Sequence, residues 1–130
     1  MTPNDIFLRV YPDPVLRVNC QPVVAMPFWL PSKMMGIMAA NNGAGLAAPQ
    51  VGVSLRMFVT HWEEVFINPR IEECGGYDII EEACLSLPGQ RRYVGRKYWV
   101  VVGGKRYIGT KARIIQHEMD HLDGKLITDL

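Results

Sequence analysis

His117 and His121 stand four residues apart in the stretch QHEMDHLDG, close to the end of a 130-residue chain. On a helix, positions i and i+4 share one face a turn apart, so both imidazoles can converge on the same ion. Glu118, beside the first histidine, is offset toward a water on that ion. A divalent metal lowers the pKa of such a water, and a neighbouring carboxylate can act as its general base. Metal-assisted hydrolysis is the chemistry these residue types can do together. Two solvent-facing histidines on a helix are the bland alternative, and residue type, spacing and helical placement all weigh against it.

Two histidines leave a third ligand to be found. One known continuation places another histidine three residues after the glycine, but that position is Ile127. Another supplies a glutamate well downstream, and residues 122–130 contain none. The ligand must come from upstream, where Cys84, Cys20, Cys74, His61 and several carboxylates are candidates. Cys84 is the best placed of the cysteines. EEACLSLPG ends a predicted strand, and Pro88-Gly89 turns the chain away, which exposes residues at the strand end. Cys20 and Cys74 read as small buried hydrophobes, and His61 as structural or exposed.

These side chains need elements to hold them. Ala112, Ile115, Met119 and Leu122 form an apolar stripe that predicts a helix, with Thr110 as its N-cap and Gly124 closing its C-terminus. Leu30, Met34, Ile37 and Met38 predict an amphipathic helix over about 31–42, with Pro31 in its first turn and NNG as its stop. LRMFVT (55–60), VFINP (65–69) and YDIIEEACLS (77–86) are rich in strand formers. KYWVVVGGKRYIG (97–109) predicts a hairpin turning at Gly103-Gly104. The proline-broken opening YPDPVLRVNCQPV reads as an extended arm with at most one helical turn, packed on the domain by its apolar residues. The expected fold is α+β: the histidine helix packed against antiparallel β-sheets, with the active site between that helix and the strand bearing Cys84.

Length fits one domain over residues 1–130, and no repeat or linker divides it. With 48% hydrophobic residues, 21% charged residues and a net charge of +1, neither nucleic acid nor a membrane surface is the expected partner. No stretch could span a bilayer and the start lacks a secretory pattern, so the expected compartment is the cytoplasm. Three cysteines are too few and too odd in number for a disulfide framework.

Taken together and in order, GAGLAAPQ (43–50), EACLS (82–86) and QHEMDHLDG (116–124) resemble the three motifs of peptide deformylases. The likeness extends to the PDPVLR arm and to INP before the middle motif, so it covers most of the chain. It implies a metallohydrolase that removes the formyl group from the formyl-methionine of newly made polypeptides and releases formate. By that resemblance Cys84, His117 and His121 bind the metal, and Glu118 is the acid and base. Gln50, with the backbone N–H of Leu85, binds the oxyanion; a fixed amide and a backbone N–H suit the charge that attack on a formyl carbon develops. Ala44 and Gly45 line a groove in which substrate backbone pairs like an added strand, and Arg91 matches an arginine near the substrate main chain. The ligand set suits Zn²⁺ by softness and can also take Fe²⁺, Co²⁺ or Ni²⁺; the resemblance favours Fe²⁺.

Some positions depart from the family pattern. Ala83 replaces the usual glycine before the cysteine, and Ala44 stands where a larger aliphatic is common. Thr110 and Arg113 fall where many relatives have apolar pocket residues, while Ile114 and His117 keep part of that wall. Altered preference for the methionine side chain is one consequence. The chain ends at GKLITDL, without the usual C-terminal extension, so ribosome docking by that route is not expected. Such brevity would suit a compact genome, for instance that of a phage acting in a bacterial host cytoplasm. A peptidase or amidase with another acyl specificity is the second enzymatic reading. A non-enzymatic metal-binding module is the third, and intact Glu118 and Gln50 speak against it.

Overall fold

Leu30, Met34 and Met38 make one buried stripe at four-residue spacing, and the computed structural model, which describes residues 1–130, has a helix there, α1 (Leu30–Ala40). It stops two residues before the expected end, where Asn41 caps it and Asn42 takes a positive φ of 55°. The stripe packs on Leu46, Val51, Met57 and Val59. These come from a three-stranded antiparallel sheet, β1 (Gly45–Ala47), β2 (Met57–Thr60) and β3 (Val65–Ile67), and from the turn after β1.

A second antiparallel sheet has β4 (Ile71–Gly75) beside the predicted hairpin, β7 (Trp99–Val102) and β8 (Lys105–Ile108); Gly103 and Gly104 both adopt positive φ in its turn. Between these strands in sequence lies a separate hairpin, β5 (Asp78–Ala83) and β6 (Arg91–Arg96), registered from Asp78 opposite Arg96 to Ala83 opposite Arg91. β1, β4 and β6 go beyond the expected strands. Their sequences, GLA, IEECG and RRYVGR, are too small or too charged to announce a strand, and cross-strand pairing decides them instead.

The histidine helix is α2 (Gly109–Leu122). Thr110 is not its N-cap, contrary to expectation. β8 runs straight into the helix through Gly109, whose φ of 61° makes the corner, so Thr110 already lies inside the first turn and makes no capping bond. Gly124 follows at a left-handed φ of 72°. Ala112, Ile115 and Leu122 are buried against Phe58, Phe66, Val100, Val102 and Tyr107, which fastens α2 to both three-stranded sheets. The architecture is α+β, with every pairing within the sheets antiparallel. No helix is long and apolar enough to cross a membrane.

A short helical turn at Pro3–Asp5 precedes the proline-broken arm, which has a single turn of its own, Pro14–Arg17; Ile6 and Leu16 are buried. The backbone of this opening segment also reaches the predicted site: Arg9 N–H donates to Gln50 O at 2.7 Å and Tyr11 N–H to Ser86 O at 2.8 Å. Cys20 is buried as expected, but Cys74 is exposed, because β4 is an edge strand with both faces largely open to solvent.

Candidate active site

Cys84 is the first residue beyond β5, so its thiol emerges at the strand end while the strand fixes its backbone. α2 brings His117 and His121 opposite it. One potential ligand atom from each of the three lies within 4.8 Å of the others, and Cys84 Sγ is 3.3 Å from His121 Nε2. Sulfur and nitrogen donors on one tetrahedral ion stand about 3.6 Å apart, so this spread fits a single divalent metal held by one thiolate and two imidazoles. His117 Nδ1 donates to Glu82 Oε1 at 2.9 Å, which fixes the tautomer and leaves Nε2 for a metal.

Glu118 is buried, and its Oε1 has no hydrogen-bond partner in the chain. Burial lifts its carboxyl to about 7, a rise only partly opposed by the charges of His117 and Arg96. A buried, unpartnered carboxylate beside a metal-ligand set is placed to take a proton. Gly45 explains how it fits: a Cβ there would come within 2.7 Å of Glu118 Oε2. The glycine is required by the close approach of β1 to the glutamate.

Gln50 is held on both sides. Its Oε1 accepts the Ala47 N–H at 2.9 Å, which orients the amide so that Nε2 faces Ser86 Oγ at 3.1 Å and Cys84 Sγ at 3.6 Å. The Leu85 N–H has no acceptor within the chain. A fixed amide donor and an unengaged backbone donor therefore flank the cysteine.

Gln50, Cys84, Leu85, His117 and Glu118 line one cavity of about 340 Å³ with Ala44, Gly45, Ala83, Thr110, Arg113 and Ile114. His121 lies behind this wall, buried. Arg91 does not join it: its side chain is 65% exposed and its guanidinium pairs with Glu81 at 3.2 Å. His61 is exposed, with its ring edge against Trp62. A larger groove of about 530 Å³ runs over β3 and the β7–β8 turn, but it contains none of the groups capable of hydrolysis named above.

Two positions were missed from sequence. Ser86, fully buried, receives the Gln50 amide. Glu82, also buried, joins His117 to Arg96, whose Nε and Nη2 donate to it at 2.8 and 2.9 Å. Burial works to raise the Glu82 pKa, yet hydrogen bonds and charge from Arg96 and His117 outweigh it and hold the carboxyl at about 2. Arg96 also bonds Asp120 on α2 at 2.6 Å. Strand alternation was the available signal, since Glu82 and Cys84 are two apart and share a face.

The sequence pattern of the polypeptide deformylase family matches residues 7–130. A peptide deformylase of Halothermothrix orenii is 44% identical across 94% of this chain and 90% of its own length. Peptide deformylase 1 of Clostridium perfringens is 40% identical across 94% and 95%. Among solved structures, the Thermotoga maritima peptide deformylase superposes with a TM-score of 0.87 at 37% identity, covering 95% of each chain. An actinonin-bound class I type b peptide deformylase of Acinetobacter baumannii gives 0.87 at 32% identity, covering 95% and 96%. The chain belongs to the polypeptide deformylase family.

Proposed function

We propose that this chain removes the formyl group from N-formyl-methionine at the start of newly made polypeptides, releasing formate and a free amino terminus. The observation that carries the reading is the convergence of Cys84, His117 and His121, the first two in the wall of the cavity that also holds Glu118 and Gln50 and the third just behind it. A divalent ion held by those three residues would supply Lewis acidity, acidifying a water and polarising the formyl oxygen. Glu118 accepts the water proton as the formyl carbon is attacked, then delivers it to the departing amide nitrogen. Gln50 Nε2 and the Leu85 N–H donate to the developing oxyanion. Glu82 keeps the His117 ring oriented through Nδ1. Ala44, Gly45 and Ile114 contribute walls against which the peptide lies.

Fe²⁺ is the physiological ion in this reading. A thiolate with two imidazoles binds several divalent metals and by affinity alone holds Zn²⁺ more tightly than Fe²⁺, so the preference for Fe²⁺ rests on the family resemblance. Protein loaded with Fe²⁺ without oxygen should release formate from a formyl-Met tripeptide faster than protein loaded with Zn²⁺. Equal or higher zinc activity would overturn the preference. Hydrolysis of acetyl-Met peptide at a comparable rate would instead favour a broader amidase.

A further inference from the structure

Arg113 lies one turn before His117 on α2, a cation almost wholly buried at the edge of the cavity. Burial of such a group demands compensation from the protein. Nη1 donates to Glu82 Oε2 at 2.5 Å and to Val94 O at 2.9 Å. Nη2 donates to Asp78 O at 3.0 Å and to Asp78 Oδ1 at 2.7 Å. All four terminal N–H donors are thereby engaged, and the remaining Nε is shielded and unpartnered.

These contacts have a direction. Asp78 and Glu82 belong to β5 and Val94 to β6, so one helical side chain grips both strands of the hairpin that ends in Cys84. Other ties between hairpin and helix near the histidines are Arg96, which reaches Asp120, and Gln116, whose side-chain amide exchanges two hydrogen bonds with the Lys97 backbone just beyond β6. His117 falls between Arg113 and Asp120 on α2. Its partner Glu82 is held from two sides, with Arg96 and Arg113 each donating to Oε2. Any sliding of the hairpin along α2 would separate Cys84 from the histidines and turn Glu82 away from Nδ1.

We propose that Arg113 is a positioning residue: it clamps the β5–β6 hairpin to α2, keeping the thiolate and both imidazoles at metal-binding separation, and presents the cavity with a guanidinium whose terminal donors are already engaged. The proposal rests on Cys84, His117 and His121 being the ligands. With its terminal donors engaged, Arg113 offers no free charge to the first side chain of a substrate.

The test uses the full chain with Co²⁺ as probe, comparing wild type, Arg113→Met and Asp78→Asn. Chelator competition gives the Co²⁺ dissociation constant, and the thiolate-to-cobalt and d–d absorption bands report ligand geometry. Arg113→Met should melt cooperatively, bind Co²⁺ about 10- to 100-fold more weakly and show shifted bands. At saturating metal its kcat should fall more than KM rises. Asp78→Asn, which loosens only the far end of the clamp, should weaken Co²⁺ several-fold, and it decides the matter if the methionine variant does not fold. Wild-type affinity and bands in a folded variant would overturn the clamp. Failure of wild type to bind Co²⁺ would overturn the ligand assignment itself. In wild type, formyl-Met peptide should remain preferred over formyl-Glu peptide; the reverse preference would overturn the engaged-donor claim.

Discussion

The residues that do chemistry here depend on neighbours that do none. Glu118 can occupy its place because position 45 has no side chain, and a methyl group there would lie 2.7 Å from its carboxylate. Gly45→Ala should therefore push the Glu118 carboxylate aside while leaving the three ligands in place. The expected outcome is a kcat lower by about 10- to 100-fold with metal content unchanged, read by steady-state kinetics and elemental analysis. Wild-type kcat would contradict the geometry. At this scale much was legible in sequence. Spacing alone paired His117 with His121, whereas the strand end made Cys84 only the best placed of several candidates and the family resemblance chose it. Glu82 was not found, since its neighbour Glu81 is exposed and paired acidic residues read as a solvated edge. Its role exists only once Arg96, Arg113 and His117 meet around it, and those partners are distant in sequence.

Elements meet through polar ties as well as apolar contacts. Glu64, just before β3, accepts from Trp62 Nε1 and from the Tyr107 hydroxyl on β8, both at 2.7 Å, and so links the two three-stranded sheets. Burial opposes its ionisation, but those hydrogen bonds, with Lys105 and Lys111 nearby, hold its carboxyl below the ordinary value of 4.5. A carboxylate with a depressed folded pKa contributes stability that is fully present above its unfolded value and is lost as pH falls through its folded value. Glu64→Gln should cost roughly 1 kcal/mol at pH 7. The gap from wild type should close as pH drops from about 4.5 through the lowered value. Urea denaturation across that range checks it, and a gap independent of pH would contradict the assignment. The strands that escaped prediction belong to this scale too. β6 carries three arginines yet alternates in burial at its end, Val94 and Arg96 inward, because Arg96 is neutralised by Glu82 and Asp120. Charged residues buried by pairing break the pattern from which strands are read.

For the whole molecule, α2 is both scaffold and site. One of its faces carries Ala112, Ile115 and Leu122 into a cluster with Phe58, Phe66, Val100 and Tyr107, and another carries Arg113, His117 and His121 toward the hairpin. Ile115→Ala should cost about 2–5 kcal/mol, lowering Tm by on the order of 10 °C. Calorimetry checks this, and a fall of only a degree or two would contradict the central place of that cluster. Helical periodicity made the apolar face readable in advance. The corner at Gly109 was not readable, because Thr110 has every chemical qualification of a cap and only the straight run from β8 into the helix denies it that role.

The central claim is that Cys84, His117 and His121 hold one divalent ion beside a proton-transferring Glu118. Formate release from a formyl-Met tripeptide tests it most directly, assayed on anaerobically prepared wild type and Glu118→Ala with metal content determined on the same samples. One ion per chain in both proteins is expected, with release falling by about 10²- to 10⁴-fold in the variant. Comparable release by the variant, or release that persists undiminished after the metal is stripped, would contradict the account.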